Sequence, residues 1–160
     1  MEFFYPNFIN DFWRIMGLIF FGNKEYFILP GCKRFDKQLI VDFANKQGLA
    51  FYDTASKVNR LKDNASDNFL EILEPTDIGR LLAKMPFCHR LVTTGGKASE
   101  ELFRQVNLNA SAPLERMPLV GEFVSFQAWG RNMQWWRMPS SSRAYPLSLD
   151  KKAAQYAKLF

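Results

Sequence analysis

The alternation of helix-like and strand-like patterns is the feature that most constrains the fold of this 160-residue chain. A helix is predicted where apolar residues recur at i, i+3, i+4 and i+7 after a residue that can cap it. A strand is predicted at a short apolar run between turn residues. The predicted helices begin at Asn10, Asp36, Thr76, Lys97 and Ser148, and the predicted strands are residues 49–53, 90–94, 122–126 and 134–138.

This order of elements predicts a single α/β domain over residues 1–160, a three-layer α/β/α sandwich with a mainly parallel central sheet. Residues 56–68 are polar and are predicted to form a loop or a broken helix. Ligands bind such sheets beyond the carboxyl ends of the strands. We therefore expect a site that gathers Asp53, Thr94, Gly95 and the loop at residues 139–143.

The positive charge of the chain is concentrated in its second half. The net charge is +5; residues 1–80 hold ten basic and eleven acidic side chains, and residues 81–160 hold eleven and five. Lysine and arginine bind polyanions by displacing the counterions of phosphate groups. A basic half therefore suits nucleic-acid binding, although such an excess is also common in proteins that bind no polyanion.

Cysteine and histidine are too few to predict a metal site. Cys32 and Cys88 lie 56 residues apart, and His89 is the one histidine. A structural zinc site needs more ligands at closer spacing. Two cysteines without a disulfide pattern suit a reducing compartment, and the apolar run at 15–21 is too short to span a bilayer. We therefore expect a cytoplasmic monomer that needs neither metal nor cofactor.

Four segments resemble motifs of the uracil-DNA glycosylase superfamily, in its mismatch-specific uracil and deoxyinosine branches. They are FYPNFINDFWRI at residues 4–15, GLAFYDT at 48–54, TTGGKA at 93–98 and MPSSSRA at 138–144. The chain departs from the family at Tyr5, where relatives have histidine, and at Thr94, where relatives often have asparagine. The family's first strand, which ends in a turn such as Gly-x-x-Pro-Gly, is expected to be missing from this sequence.

The resemblance implies a DNA-repair glycosylase with a uracil-DNA glycosylase-like fold. Such an enzyme hydrolyses the N-glycosidic bond of a deaminated base in double-stranded DNA after flipping the nucleotide out of the duplex. Uracil opposite guanine is the first expected substrate, and hypoxanthine is the second. A DNA-binding paralogue without catalytic activity is the alternative from another class. A generic nucleotide-binding protein is disfavoured, since the chain has no glycine-rich phosphate-binding motif.

The resemblance also assigns candidate catalytic residues. Asn10 has a family counterpart that is taken to orient the attacking water, and at a helix N-terminus it would lie where developing negative charge is favoured. Asn7 is a second candidate amide. Asp53 is a candidate that orients the catalytic loop or holds a water. The structural alternative is that Asn10 and Asp53 simply cap a helix and a turn.

Candidate base-binding residues lie in the first and third matched segments. Phe4 or Tyr5 could stack on the flipped base. Thr94 and the amide of Gly95 could hydrogen-bond the edge of the base, because glycine lets the backbone approach closely. Core packing by the aromatic rings and a tight strand-to-helix turn are the respective alternatives.

The fourth segment holds the candidate DNA-binding loop. Its short hydroxyls and backbone amides could bind phosphates, and its arginine could enter the gap that the flipped base leaves. A flexible surface loop is the alternative. The residues of this loop are Pro139, Ser140, Ser141, Ser142 and Arg143.

Overall fold

The computed structural model describes residues 3–60 and 70–160. The chain forms two compact units, which we call the helical unit (Met1–Tyr52 and Pro139–Phe160) and the sheet unit (Asp53–Met138). The helices are α1 (Phe12–Phe21), α2 (Lys37–Gln47), α3 (Ile78–Ala83), α4 (Gly96–Asn109) and α5 (Leu149–Tyr156), and a 3-10 turn (Ala157–Leu159) follows α5. The strands are β1 (Ala55–Arg60), β2 (Leu70–Pro75), β3 (Arg90–Thr94), β4 (Glu122–Ala128) and β5 (Arg131–Met138).

The helical unit contains α1, α2 and α5, and the predicted caps of α2 and α5 are confirmed. The N-cap residue of α1 is Asp11 rather than the predicted Asn10, which lies one residue earlier and accepts from Phe12 N through its Oδ1. The Asp36 side chain accepts a hydrogen bond from Leu39 N at 3.1 Å and caps α2, and Ser148 caps α5 in the same way. Gly22 ends α1 with a left-handed backbone, φ 63°, which glycine adopts without steric cost. The core of this unit is largely aromatic and is formed by Phe12, Trp13, Ile15, Met16, Phe27, Phe35, Ile40, Phe43, Tyr156 and Leu159.

The sheet unit contains a three-stranded sheet in the order β3-β5-β4 and a separate antiparallel pair, β1-β2. Strand β5 pairs with β3 in parallel and with β4 antiparallel. Trp129 and Gly130 join β4 to β5 with φ values of 52° and 73°, the left-handed pair that a two-residue hairpin requires. The sheet and helices α3 and α4 enclose an apolar core of Leu82, Leu102, Val106, Phe126, Ala128, Met133 and Trp135.

The mixed α/β class is therefore as predicted, with 36% helix and 22% strand, but the sheets are small. One ladder of the three-stranded sheet is parallel and the other is antiparallel, so this sheet is not mainly parallel. Strands β3, β4 and β5 lie where the sequence predicts them. Within residues 3–60 and 70–160, none of the helices has the length and apolar character needed to cross a bilayer.

The prediction of a buried strand at residues 49–53 is wrong. Among the described residues this segment pairs with no strand, and Ala50, Tyr52 and Asp53 are exposed. Within residues 49–53 only Leu49 and Phe51 are partly withdrawn from solvent, and the ring of Phe51 packs against Phe4 and Trp13 at centroid distances of 5.7 Å each. Phe51 therefore packs against the aromatic core of the helical unit, although the apolar pattern predicted it in a strand.

Two further predictions for the sheet unit need correction. Residues 55–60 form β1 rather than a loop or broken helix, because their backbone pairs with β2; the rest of that predicted segment, residues 61–68, lies outside the described residues. The cap of α3 is Asp77, whose side chain accepts from Arg80 N at 2.9 Å. The predicted cap, Thr76, instead donates its hydroxyl to Asp53 O at 2.7 Å.

Candidate functional site

The start of α1 lies against the loop at residues 139–143, so that two of the segments singled out in the sequence meet in the helical unit. Asn10 and Ser142 form an isolated antiparallel bridge. The backbone N–H of Asp11 donates to Ser141 O at 2.9 Å. The candidate water-orienting amide therefore lies beside the candidate phosphate-binding loop. We call Asn10, Asp11, Ser140–Arg143 and Lys152 the candidate site.

Asp11 is the charged centre of this arrangement. Its Oδ1 lies 3.0 Å from Arg143 Nε, and its Oδ2 lies 3.0 Å from Lys152 Nζ. Lys152 is only 1% exposed, and its ammonium also donates to Ser142 O at 2.7 Å. An ammonium in such surroundings must be paired and hydrogen-bonded to stay charged. The Asp11 carboxylate and the Lys152 ammonium thus join α1, α5 and the serine loop at one point.

Arg14, in the first turn of α1, adds a second buried cation. Its side chain is enclosed, and Nη1 donates to Phe8 O at 2.8 Å and to Asn10 O at 3.1 Å. The guanidinium carbon lies 4.3 Å from the ring centroid of Phe8. Burial lowers the pKa of Arg14, and the nearby charge of Arg143 lowers it further, while Asp11 acts in the opposite direction. Positive charge is therefore crowded at this end of the helix.

The two candidate asparagines both make local hydrogen bonds. Asn10 is half-buried, and its Oδ1 accepts from Phe12 N at 2.9 Å; Asn7 is exposed, and its Oδ1 accepts from Ile9 N at 3.1 Å. The amide oxygen of asparagine has two lone pairs and its nitrogen has two protons. The capping role of Asn10 therefore leaves one acceptor position and both donors for another partner.

The serine loop is held by its own hydrogen bonds. Ser140 Oγ accepts from Ser142 N, and Ser142 Oγ accepts from Ala144 N, each at 3.2 Å. Pro139 O accepts from the buried Tyr156 hydroxyl at 2.7 Å. Burial raises the pKa of Tyr156 well above its ordinary value, and Tyr5 contributes in the same direction. A loop fixed at this many points is not the flexible segment that a run of serines usually forms.

The two candidate stacking residues are half-buried in the helical unit. Tyr5 lies parallel to Phe12, with ring centroids 4.4 Å apart, and has a left-handed backbone with φ 56°. Phe4 stacks on Phe51 at 5.7 Å, and its backbone oxygen accepts from Trp13 Nε1 at 2.9 Å. A left-handed aromatic residue is uncommon, and such strain is found most often at functional positions.

The remaining candidates belong to the sheet unit. Thr94 ends β3, and Gly95 follows with φ 124°, its oxygen accepting from Ser99 Oγ at 2.7 Å. Beside this turn, the Thr93 hydroxyl contacts Ser99 Oγ at 3.0 Å and accepts from Trp135 Nε1 at 2.9 Å. These bonds account for a well-ordered strand-to-helix turn.

Asp53 is exposed, and the described contact of this residue is made by its backbone oxygen, which accepts from Thr76. The sequence predicts the Asp53 carboxylate at the end of a buried strand. Residues 49–53 form no strand, and the Asp53 side chain faces solvent instead.

Sequence reasoning missed Asp11, Arg14 and Lys152. Lys152 could have been found, because it shares the inner stripe of α5 with Leu149, Ala153 and Tyr156 at helical spacing. A lysine in an apolar stripe indicates a buried partner of opposite charge. Among the residues that the structure describes, no cluster of three or more histidine, cysteine or acidic side chains could hold a metal ion, and both cysteines are free thiols.

Comparisons of the chain with protein-family models, with curated proteins and with solved structures found no match.

Proposed function

We propose that this chain is a DNA-repair glycosylase that hydrolyses the N-glycosidic bond of a deaminated base, with uracil opposite guanine as the preferred substrate and hypoxanthine as the next. The observation that carries the proposal is the pairing of Asn10 with Ser142. It joins a residue suited to orient water to a loop suited to bind the DNA backbone. The three-layer α/β/α architecture belongs to this proposal, as do action as a cytoplasmic monomer and independence of any cofactor.

The reaction needs an oriented water and a site that stabilises a departing anion. The bond from C1′ to the base breaks, its electron pair leaves with the base, and water oxygen bonds to C1′ while a water proton passes to the base or to solvent. Asn10 keeps an acceptor position for that water, as described above. The start of α1 carries the positive end of the helix dipole, and Arg14, Arg143 and Lys152 outnumber the Asp11 carboxylate. Fixed positive charge of this kind favours the leaving anion.

Tyr5 is the proposed stacking partner for the flipped base. Its ring is half-buried, and its left-handed backbone is held against Phe12. Stacking of a base on an aromatic ring contributes about 1–3 kcal/mol, comparable with the few kcal/mol that flipping a mismatched base costs. Phe4 is the second choice: both rings already stack on a core ring, Tyr5 on Phe12 and Phe4 on Phe51, and Tyr5 is preferred for its left-handed backbone.

The loop of Ser140–Ser142 and Arg143 is the proposed DNA contact. The Arg143 side chain is 49% exposed, and its bond to Asp11 uses Nε alone. Its two Nη groups are thus available to enter the gap left by the flipped nucleotide, and the serine hydroxyls and loop amides are available for the flanking phosphates. Within this proposal Thr94 and Gly95 remain candidates for the base edge.

The proposal is tested by incubating the full chain with duplexes that carry a single uracil or hypoxanthine and by following alkali-labile abasic sites. We expect cleavage of the uracil duplex and no cleavage of the undamaged one. Asn10→Ala should lower the single-turnover rate by about 10²–10⁴-fold while binding of the duplex is retained. Asn10→Ser keeps a capping oxygen and separates loss of the amide from loss of the helix cap.

Asn45→Ala is the matched control, since Asn45 is an exposed asparagine on α2; its rate should equal that of the parent chain. Unaltered turnover in Asn10→Ala would remove Asn10 from the mechanism. Binding of duplex DNA without cleavage of either base would refute the enzyme and establish the non-catalytic DNA-binding paralogue.

A further inference from the structure

A cleft of about 530 Å³ lies on the helical unit and shares Asp11 and Arg143 with the candidate site. Its walls include the cations Arg14, Lys24 and Arg143, the acids Asp11 and Glu25, and the ring of Phe8. The chemistry of base excision described above makes no use of Lys24, of Glu25 or of the free edge of Arg14. The cleft therefore calls for an explanation of its own.

Arg14 has hydrogen-bond donors in this cleft that no acceptor of the described residues satisfies. The guanidinium uses Nη1 for two backbone carbonyls, and Nε and Nη2 donate to no acceptor among the described residues. Every fully enclosed side-chain nitrogen and oxygen in the described part of the chain has a hydrogen-bond partner. Nε and Nη2 must therefore reach solvent, although Arg14 as a whole is only 6% exposed. These two groups form one edge of the guanidinium, which is the fork that binds two oxygens of an anion.

Arg143 offers a second fork. Its Nε donates to Asp11 Oδ1 at 3.0 Å, and among the described residues Nη1 and Nη2, at the end of the guanidinium, have no acceptor. Lys24 is exposed and has no ion-pair partner among the described residues. Three cationic side chains thus line one cleft, and each has N–H donors that make no hydrogen bond to the described residues.

The charge balance of the cleft also favours an anion. Arg14, Lys24, Arg143 and the adjoining Lys152 carry four positive charges, and Asp11 and Glu25 carry two negative ones. Asp11 is already shared by Arg143 and Lys152. The repulsion between Arg14 and Arg143, which lowers the pKa of Arg14 after burial has done so, is a cost that a bound anion would remove.

We propose that this cleft binds a phosphoryl group. A tetrahedral phosphate has enough oxygens to accept from both arginine forks and from a lysine at once, whereas a carboxylate has two oxygens and would leave one fork unused. The phosphate belongs either to a nucleic-acid strand or to a free phosphate compound, and both share this chemistry. The cleft shares Arg14 and Arg143 with the proposed reaction and adds Lys24, which that reaction does not use, so phosphate binding can be tested without base excision.

The test uses inorganic phosphate as the probe. Phosphate is titrated into the ¹⁵N-labelled full chain at constant ionic strength, and the Nε–H signals of Arg14 and Arg143 are followed by NMR. We expect a saturable shift of the Arg14 signal. Lys24→Gln should weaken binding about threefold, as for an exposed charge, and Arg14→Lys about tenfold, because the fork is lost while the charge is kept.

Lys33→Gln, an exposed lysine in the same unit and outside the cleft, is the matched control and should bind phosphate as the parent does. If Arg14→Lys fails to fold, comparing the phosphate affinities of Lys24→Gln and Lys33→Gln still tests the proposal. Absence of a saturable shift, or equal weakening by both lysine variants, would overturn the proposal.

Short oligodeoxynucleotides with and without a 5′-phosphate distinguish the two sources. Equal binding of both, competed by inorganic phosphate, identifies a phosphodiester of the strand; preference for the 5′-phosphorylated one identifies a terminal monoester. If the chain binds phosphate in this way but excises no base, the cleft proposal stands and the glycosylase proposal is refuted. Failure of one proposal can therefore be distinguished from failure of the other.

Discussion

The helical unit and the sheet unit bury their polar groups by different means. The helical unit encloses full charges, with Lys152 against Asp11 and Arg14 nearby. The sheet unit encloses neutral groups, with Trp135 Nε1, the Thr93 hydroxyl and the Ser99 hydroxyl joined in one chain of hydrogen bonds. Both solutions leave no enclosed side-chain polar atom without a partner in the described residues.

The difference indicates what each unit is built for. A buried ion pair stabilises little, because removing two charges from water offsets most of their attraction. A neutral network whose members are all satisfied fixes packing at lower cost. The charges of the helical unit are therefore better explained by the position they impose on the serine loop than by stability, whereas the network of the sheet unit supports its core.

The largest effect is expected for Lys152→Met, which keeps the apolar length of the side chain and removes its charge. Asp11 then keeps only the half-exposed Arg143 as a cation. Breaking a buried pair in this way should lower the free energy of unfolding by about 3–5 kcal/mol. Urea denaturation of the purified chain measures the loss.

Lys151→Met is the control on the same helix, where the lysine is exposed, and it should change stability by less than about 0.5 kcal/mol. Adding Asp11→Asn to Lys152→Met should regain part of the loss, since the unpaired carboxylate is gone. Equal stability of the two single lysine variants would show that the buried charge is not what distinguishes the helical unit.

An intermediate effect is expected for Thr93→Val in the sheet unit. Valine fills the same space and leaves Trp135 Nε1 without its acceptor, which should lower the free energy of unfolding by about 1–3 kcal/mol. Thermal unfolding followed by circular dichroism measures it.

Trp135→Phe in the Thr93→Val background completes a double-mutant cycle. The double variant should lose less free energy of unfolding than the sum of the losses in the two single variants, because the second change removes the orphaned donor. A coupling energy of zero would mean that the neutral network does not support the core. The proposed contrast with the sheet unit would then be wrong.

The smallest effect is expected for the pH dependence contributed by Glu101 of α4. Burial would raise the pKa of Glu101, but hydrogen bonds from Arg104 and Gln105 outweigh it and hold the pKa below its ordinary value. A carboxyl with a depressed folded-state pKa stabilises the fold above its unfolded pKa, near 4.3, and loses that contribution as the pH falls through the lower folded value.

Glu101→Gln should therefore flatten the acid limb of the stability curve below about pH 4.5 by less than about 1 kcal/mol, since Arg104 is half-exposed. Unfolding free energies at pH 3, 4 and 7 measure the change. Glu100→Gln, an exposed neighbour, is the comparison. An acid limb that Glu101→Gln leaves unchanged and Glu100→Gln flattens would contradict the assignment of this pH dependence to Glu101.

The sequence was informative where local pattern and local structure coincide. Strands β3, β4 and β5 and the caps Asp36 and Ser148 follow from apolar spacing and turn chemistry. The β1-β2 pair was missed, because β1 is largely polar and is joined to β2 by backbone bonds that no side-chain pattern records. The strand at residues 49–53 was wrongly predicted, because packing of Phe51 with other rings satisfies the same apolar residues.

The candidate site divides in the same way. The motifs predicted Asn10 and the serine loop, and the structure pairs them. They did not predict Asp11 as the common partner, because its two cations lie 132 and 141 residues further along the chain. Long-range pairing of charges is set by the tertiary fold, and the one local sign of it was Lys152 in an apolar stripe.

The link between Asp11 and Lys152 has a consequence for how the chain is made. The sheet unit is one continuous stretch with a core of its own, whereas Asp11 waits for a partner 141 residues later. At about 5–20 residues per second, that wait lasts on the order of ten seconds. A translational pause ahead of Ser148 would prolong the time in which the nascent helical unit exposes its aromatic core to chaperones and proteases.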